Sequence, residues 1–313
     1  MTGATHGSLT GTELVCCGLF GTVVPDDGII ERSYAEAIAT QGVVSGTSSF
    51  ARRMAQVHQA RGQAPASVLR RLFPDNEARA QAAELAFGRA LSDGLRRVAV
   101  RPAAGAAQTL ARLRESGRKV CIVTSLPRTA LDTALEATGL SALADFSLSC
   151  EDVARGFPWP DLVLTALLRT GTGSVCDVAV VHSTGAGVEA GRRSGAGLVA
   201  GVLSGPHAAA RLRSSGATHI LGSIADLPRL LSAPADDAVT GSPGPASRGG
   251  PAGRGGAGST DGTRRTDGTG SAGGAGSVAG RSAAAVRPAP AGPPPAGISV
   301  PAQVGLEGHP LGR

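Results

Sequence analysis

Polar side chains that could do chemistry stand at the ends of apolar, strand-like runs of the chain. Cys17 lies in the run LVCCG, and Thr124 and Ser125 end the run KVCIVTS. His182 and Ser183 end a further run, VAVVHS. A thiol beside an imidazole is a possible nucleophile pair, and the hydroxyl groups can donate hydrogen bonds to phosphate or to another ligand. The alternative is a Cys17 that points into the core and takes no part in catalysis.

These residues come together only if the runs are neighbouring strands of one sheet. Strand candidates near residues 13–18, 119–124, 178–182 and 198–203 alternate with helical patterns, and shorter candidates occur at DFSLS and THIL. Strands separated by helices predict right-handed crossovers and a doubly wound α/β fold with a parallel sheet. Ligands of such sheets bind at the carboxyl ends of the strands, so a site is expected there.

Pattern and composition divide the chain into four parts. Residues 26–100 carry amphipathic segments such as ASVLRRLF, which predict a helical insertion after the first strand. The core domain is then formed by residues 13–25 and 101–232. We expect residues 1–12 and 233–313 to be disordered. The C-terminal part consists mostly of Gly, Pro, Ala, Ser and Arg, and it cannot bury enough apolar surface to offset the entropy of ordering.

Composition and charge argue against several classes of protein. The 313 residues carry a formal net charge of +6, but the arginines are scattered and aromatic residues amount to 3%, which does not favour a nucleic-acid partner. The sequence shows neither a membrane span nor a signal peptide. The five cysteines lack CxxC spacing, which indicates buried free thiols rather than a metal site. We expect a soluble cytoplasmic protein whose partner is a small molecule or another protein.

The order of strands, insertion and loops resembles the haloacid dehalogenase superfamily, and in particular its phosphonatase-like hydrolases, over residues 13–231. GTVVPDDGIIERSYAEAIATQG is similar to the loop and first cap helix of that family, and KVCIVTS to its second motif. CEDVARGFPWPDLVLTAL and VAVVHSTGAGVEAGRRSGAG are similar to its third and fourth motifs. The resemblance implies a Rossmann-like core with an inserted helical cap, and Mg²⁺-dependent hydrolysis of phosphoric or phosphonic esters.

The same resemblance implies that the catalytic residues of the family are replaced in this chain. The aspartate nucleophile corresponds to Gly18, and the position two residues on, Asp in phosphatases and Ala in phosphonatases, corresponds to Phe20. The cation of the third motif corresponds to Phe157, and the metal-binding aspartates of the fourth correspond to Ser183 and Gly187. Glycine can neither form a phospho-enzyme nor bind a metal, so we expect the family Mg²⁺ to be lost and no cofactor to be bound.

Other family features are missing as well. Phosphonatases form a Schiff base through a cap lysine, but the corresponding stretch, GQAP, contains Pro65, and the one lysine of the chain is Lys119. Arg155 could replace the cation of the third motif only after a shift of its loop. Among the residues that contact phosphate directly, Thr124 is kept, with Ser125 beside it as a possible ligand contact.

Two classes of function are consistent with these replacements. The first is a catalytically inactive protein that binds a ligand or a partner, with Phe157 and Trp159 as candidates for an apolar surface. The second is a phosphonatase-like or phosphatase-like hydrolase with a rearranged site, in which Cys17 and His182 would act. The first is favoured because removing acids and bases together leaves a neutral site without unpaired buried charge. Stoichiometric Mg²⁺ binding would favour the second.

Removal of the residues after 235 should leave the fold intact. We expect the melting temperature to stay within about 2 °C, because a segment so poor in apolar residues contributes no core contacts. Differential scanning calorimetry of the full and shortened chains measures this difference. A drop of more than about 5 °C would show that the C-terminal segment docks on the folded domain.

Overall fold

The computed structural model describes residues 11–232. The predictions for residues 233–313 and for nearly all of residues 1–12 lie outside this part of the chain. The strands are β1 Leu14–Gly18, β2 Lys119–Val123, β3 Phe146–Leu148, β4 Val178–His182, β5 Leu198–Val202 and β6 His219–Leu221. The helices are α1 Ile29–Thr40, α2 Ser48–Gln59, α3 Pro65–Leu72, α4 Glu77–Arg97, α5 Ala106–Glu115, α6 Arg128–Thr138, α7 Asp161–Thr170, α8 Gly185–Ser194, α9 Ala209–Ser214 and α10 Leu227–Ser232.

The six strands form one parallel sheet in the order β3-β2-β1-β4-β5-β6. This confirms the predicted doubly wound α/β fold, and the four longer strands end within one residue of their predicted positions. β1 lies in the middle of the sheet, between β2 and β4. The carboxyl ends of these three strands therefore lie side by side, and each carries candidate site residues.

The apolar runs form strands because the sheet is buried on both faces. β1, β4 and β5 are buried at every position, as expected for parallel strands covered by helices. Side chains alternate between the two faces. Cys17 and Ile122 belong to one core cluster, whereas Cys16, Cys121 and Val180 belong to the other. The two adjacent cysteines of β1 therefore point to opposite sides of the sheet.

All five cysteines are free thiols. Cys16, Cys17 and Cys121 are buried in the sheet, Cys150 is half-buried and Cys176 is exposed. The prediction of buried thiols therefore holds for the three strand cysteines and not for Cys176. Within residues 11–232, no helix combines the length and apolar character needed to cross a membrane.

Residues 26–100 form helices and add no strand to the sheet. α1 and α3 both pack on the long helix α4, and the rings of Tyr34 and Phe87 meet with centroids 4.4 Å apart. Asn76 caps α4 by accepting a hydrogen bond from the Arg79 N–H at 2.9 Å. α4 also contacts α6 of the sheet domain. The helices of the insertion therefore pack on α4, and α4 also contacts the core domain.

Replacing Phe87 by alanine should destabilise the protein by about 3–5 kcal/mol, because the ring is fully buried and its removal leaves a cavity. Leu85 on the same helix is 63% exposed, so Leu85→Ala should change the stability by less than about 0.5 kcal/mol. Urea unfolding followed by circular dichroism compares the two variants with the unmodified protein. Equal losses in both variants would contradict the packing of α4.

Candidate functional site

A small cavity of ≈ 40 Å³ lies at the carboxyl ends of β1, β2 and β4. At about 10–15 Å³ for each water-sized group, it holds roughly three such groups. The core contributes Thr124, Ser125 and His182, and the insertion contributes Arg61 and other residues. The lining also includes Leu19, Phe20, Ile30, Tyr34, Gly62, Gln63, Leu126, Thr184 and Pro206. The predicted ligand contacts Thr124 and Ser125 therefore do face a common space.

The ring of His182 fills the space into which side chains at positions 18 and 187 would project. A Cβ atom on Gly18 would lie 2.8 Å from Cδ2 and 2.9 Å from Nε2 of His182. A Cβ atom on Gly187 would overlap with the ring itself. His182 is only 5% exposed, so the ring has little freedom to move aside. Both glycines, which the sequence predicts to stand at the positions of the nucleophile and a metal ligand, are needed to accommodate this imidazole.

His182 is held by polar and aromatic contacts on different sides. The backbone N–H of Thr184 donates a hydrogen bond to Nδ1 at 3.2 Å, and the Thr184 hydroxyl lies 3.1 Å from the same nitrogen. Because Nδ1 accepts, the proton of the neutral ring is assigned to Nε2. Phe157 packs edge-on against the ring, with centroids 5.1 Å apart and an interplanar angle of 88°. Phe157, which the sequence predicts to stand at the position of the family cation, thus supports the imidazole.

Burial lowers the pKa of His182 to about 4, and the nearby His207 adds a smaller effect in the same direction. Desolvation disfavours the charged imidazolium, and no carboxylate contributes to this shift. The ring is therefore neutral at physiological pH. Its surroundings, an aromatic ring and two glycines, are also uncharged.

The other replaced positions stabilise the loop after β1. Ser183 is fully buried, and its hydroxyl donates a hydrogen bond to the carbonyl of Phe20 at 3.2 Å. A Cβ atom on Gly21 would lie 2.6 Å from the Ser183 hydroxyl oxygen, so this loop approaches β4 closely. Phe20 is 8% exposed and lines the cavity. Ser183 therefore joins two strand ends instead of presenting oxygen to a metal.

The residues at these positions do not fit Mg²⁺. Magnesium requires an octahedral set of oxygen ligands, supplied mostly by carboxylates and water. Gly18 and Gly187 have no side-chain oxygen, His182 fills their space, and Ser183 is engaged with Phe20. Within residues 11–232, no group of three or more His, Cys, Asp or Glu side chains is arranged to hold a metal. No catalytic step through this metal follows from the site.

The thiol of Cys17 is buried in the core, in register with Ile122 on β2 and Val181 on β4. Burial raises its pKa well above the ordinary value, and the neighbouring Cys16 adds to the shift. A thiol is nucleophilic as the thiolate, which this environment disfavours. Cys17 belongs to the core cluster, whereas His182 lines the cavity, so the geometry gives no support to a catalytic pair.

Arg155 is engaged outside the cavity. Its Nε and Nη2 atoms donate to the carboxylate of Asp161 at 3.1 and 2.9 Å, and its guanidinium lies over the ring of Trp159, 4.6 Å from the centroid. Phe157 and Trp159 also differ in exposure, at 3% and 46%. Phe157 packs inward against His182, while Trp159 stays on the surface with Arg155.

A buried ion pair of the insertion is a feature that sequence reasoning missed. Arg61 pairs with Asp26, and their side chains are 5% and 14% exposed. The next residue, Gly62, has a φ of +90°, and a Cβ atom on it would overlap with the Thr184 hydroxyl. The backbone of the insertion therefore touches Thr184, the N-cap residue of α8, at the wall of the cavity. A Gly after Arg carries no motif, so only the chain's tertiary structure reveals this contact.

A parallel, doubly wound α/β sheet with a helical insertion after its first strand defines a Rossmann-like core with an inserted segment. A family model described as haloacid dehalogenase-like hydrolase matches residues 12–195, more than half of the chain. The chain belongs to the haloacid dehalogenase-like hydrolase family.

Known relatives confirm the phosphonatase-like resemblance. The chain is 33% identical over 103 residues to a phosphonoacetaldehyde hydrolase of Pseudomonas fluorescens, covering 32% of this chain and 37% of that protein. It is 31% identical over 154 residues to a phosphonoacetaldehyde hydrolase of Bordetella pertussis, and this match covers 42% of this chain and 56% of that protein. The matches thus span about a third to a half of these relatives. A crystal structure of a phosphonoacetaldehyde hydrolase-like protein from Oleispira antarctica has the same fold, with a TM-score of 0.63, 19% identity, and coverage of 74% of this chain and 95% of that one.

The stability of the protein should fall as the pH is lowered, partly through His182. Its folded pKa of about 4 lies below the unfolded value of 6.5, so the unfolded state binds the proton more tightly. The contribution is fully present above pH 6.5 and is lost as the pH falls towards 4. Between pH 7.5 and 5 it amounts to about 2 kcal/mol.

His182→Gln removes this titration while keeping a polar side chain. The unfolding free energy of the variant should therefore depend less on pH than that of the unmodified protein, by about 2 kcal/mol over the same interval. Denaturant unfolding at both pH values gives the comparison. An identical pH dependence in both proteins would show that His182 does not titrate as its burial implies.

Proposed function

We propose that this chain is a catalytically inactive member of its family that acts as a ligand-binding or partner-binding module. The observation that carries the proposal is the position of His182. A neutral, buried imidazole fills the space that a nucleophile at position 18 and a metal ligand at position 187 would need. The aromatic ring of Phe157 packs on it where the family has a cation.

Phosphoryl transfer depends on the groups that these residues replace. The transferred group needs a nucleophile, and the charge that develops on its oxygens needs a cation or metal. A phenyl ring and a neutral imidazole stabilise no developing negative charge, and Arg61, the cation that lines the cavity, is already paired with Asp26. The loss of nucleophile and charge stabilisation together supports a protein without the family activity, since catalytic groups that act as a unit do not compensate for one another.

The cavity supports binding of a small polar ligand. Thr124 Oγ1 accepts a hydrogen bond from the Leu126 N–H at 3.2 Å, which leaves its hydroxyl proton free to donate elsewhere. Ser125 and the Arg61 guanidinium line the same space. These donors suit a carboxylate or phosphate oxygen. The small volume and the contact of Gly62 with Thr184 indicate that the insertion acts as the cap of this site.

A hydrolase with a rearranged site is the second candidate. The names of the relatives favour it, because both are phosphonoacetaldehyde hydrolases. Thr124 is also kept at the cavity, and His182 could move a proton there through Nε2. In this candidate a substrate would have to displace the ring of His182 from its position between Gly18 and Gly187.

Purified protein should release no phosphate from phosphomonoesters or from phosphonoacetaldehyde, with or without Mg²⁺. A colorimetric phosphate assay with constant specific activity through purification measures this. Mg²⁺ binding, followed by isothermal titration calorimetry, should also be absent at millimolar concentrations. Phosphate release that disappears in His182→Ala would overturn the proposal and establish a rearranged active site.

Restoring the family residues should fail unless His182 is also removed. The first variant combines four substitutions: Gly18→Asp, Ser183→Asp, Gly187→Asp and Phe157→Lys. It places side chains where the imidazole lies, so it should unfold more readily and stay inactive. Adding His182→Gly frees the space and should recover stability and measurable Mg²⁺ binding. Equal stability of the two variants would contradict the overlap at His182.

A further inference from the structure

A second and much larger cleft lies between helix α3 of the insertion and residues 150–159 of the core. Its volume is ≈ 660 Å³, within the range of about 300–1,000 Å³ typical of small-molecule sites. Phe157 lines this cleft and at the same time packs against His182. Phe157 therefore contacts both His182 and the cleft, and Gln63 lines both the cleft and the strand-end cavity.

Four arginine side chains line the cleft. Arg70 and Arg71 lie on the α3 side, and Arg155 and Arg193 lie on the core side. Three of them are paired with carboxylates: Arg70 with Glu77, Arg155 with Asp161 and Arg193 with Glu189. These three guanidinium groups therefore offer N–H donors to a ligand rather than unbalanced charge.

The two core arginines are held in position by neighbouring side chains. Arg155 is fixed by its two bonds to Asp161, and Arg193 pairs with Glu189 at 2.6 Å and donates to the Pro158 carbonyl at 3.3 Å. Both guanidinium groups lie over the Trp159 ring, 4.6 and 4.9 Å from its centroid. Arginine has five N–H donors, so each keeps donors for a ligand. Preorganised guanidinium groups favour carboxylate and phosphate oxygens.

Arg71 lines the opposite wall of the cleft, on the insertion. It is exposed on α3, and among the ion pairs and hydrogen bonds within residues 11–232 its guanidinium takes part in none. One unpaired cation on one wall and two oriented guanidinium groups with spare donors on the other suit a ligand with anionic groups at more than one point. A ligand with a single anionic group would reach the donors of one wall only.

We propose that this cleft binds a small molecule that carries at least two anionic groups, phosphate or carboxylate, between Arg71 on the insertion and Arg155 and Arg193 on the core. The inference rests on the proposed function, because Phe157 and His182 keep such a ligand away from any catalytic position. The ligand is held and released unchanged. By joining the two walls it also stabilises the closed arrangement of insertion and core.

The binding test uses tripolyphosphate and citrate, which carry several phosphate or carboxylate groups, and the full chain at low ionic strength. Isothermal titration calorimetry should show saturable binding of at least one of them, weaker at higher salt. Trp159 is the one tryptophan of the chain, so its fluorescence should change with the same dissociation constant. The preferred probe identifies phosphate or carboxylate as the recognised group.

Arg71→Gln and Arg193→Gln should each weaken binding about tenfold, because each removes a charged donor from one wall. Arg52→Gln is the matched control, since Arg52 is also an exposed arginine of the insertion but does not line the cleft. It should bind as the unmodified protein does. Circular dichroism melting of each variant establishes that it is folded, and Arg71→Lys, which keeps the charge, should retain part of the affinity.

Absence of saturable binding of both probes would overturn the inference. Equal weakening by Arg52→Gln and by the cleft variants would also overturn it, because binding would then reflect the overall charge. Orthophosphate released from tripolyphosphate during the titration would overturn the proposed function instead, while cleft-dependent binding would still support the location of the ligand.

Discussion

The imidazole of His182 and the two glycines beside it depend on one another. Any side chain at position 18 or 187 would collide with the ring, and because the ring is buried, the surrounding side chains prevent it from moving aside. The ring must also be neutral, since an imidazolium without a carboxylate partner in an apolar environment is costly. Phe157 meets both requirements by adding an apolar surface without charge. Gly18, Gly187, Phe157 and His182 therefore pack as one unit, in which each residue depends on the others.

The insertion adds a second constraint to the same site. Gly62 can approach Thr184 because it has no side chain, and Thr184 in turn holds the Nδ1 atom of His182. Near this contact the Arg61–Asp26 pair is almost fully removed from water. Such a pair contributes little net stability, but breaking it would leave an unpaired buried charge, so it favours one arrangement of the insertion. Thr184 therefore takes part both in the packing around His182 and in the contact with the insertion.

The fold could be predicted from the sequence because it depends on repeating patterns. Alternating apolar runs and helical segments predict the strands within a residue. Gly139 ends α6 with a φ of +67°, a conformation that favours glycine. The positions of the site residues follow from the rule that parallel strands end at one edge. Thr124, Ser125 and His182 meet there as expected.

The contacts of the site could not be predicted in the same way. That His182 would fill the space of Gly18 and Gly187 depends on side-chain direction and on packing between residues distant in sequence. The Arg61–Asp26 pair joins residues 35 positions apart and has no periodic signature. Cys17 follows the alternation of β1 into the core, which the sequence allowed but could not distinguish from an exposed thiol.

Phe157 contacts two features of the molecule, the buried His182 and the arginine-lined cleft. One side of the ring packs on His182, and the residue also forms part of the wall of the arginine-lined cleft. A cationic side chain at this position would lie beside a neutral imidazole with no carboxylate to neutralise it. The phenyl ring packs there without adding charge. Phe157 therefore takes part both in the packing of His182 and in the wall of the cleft.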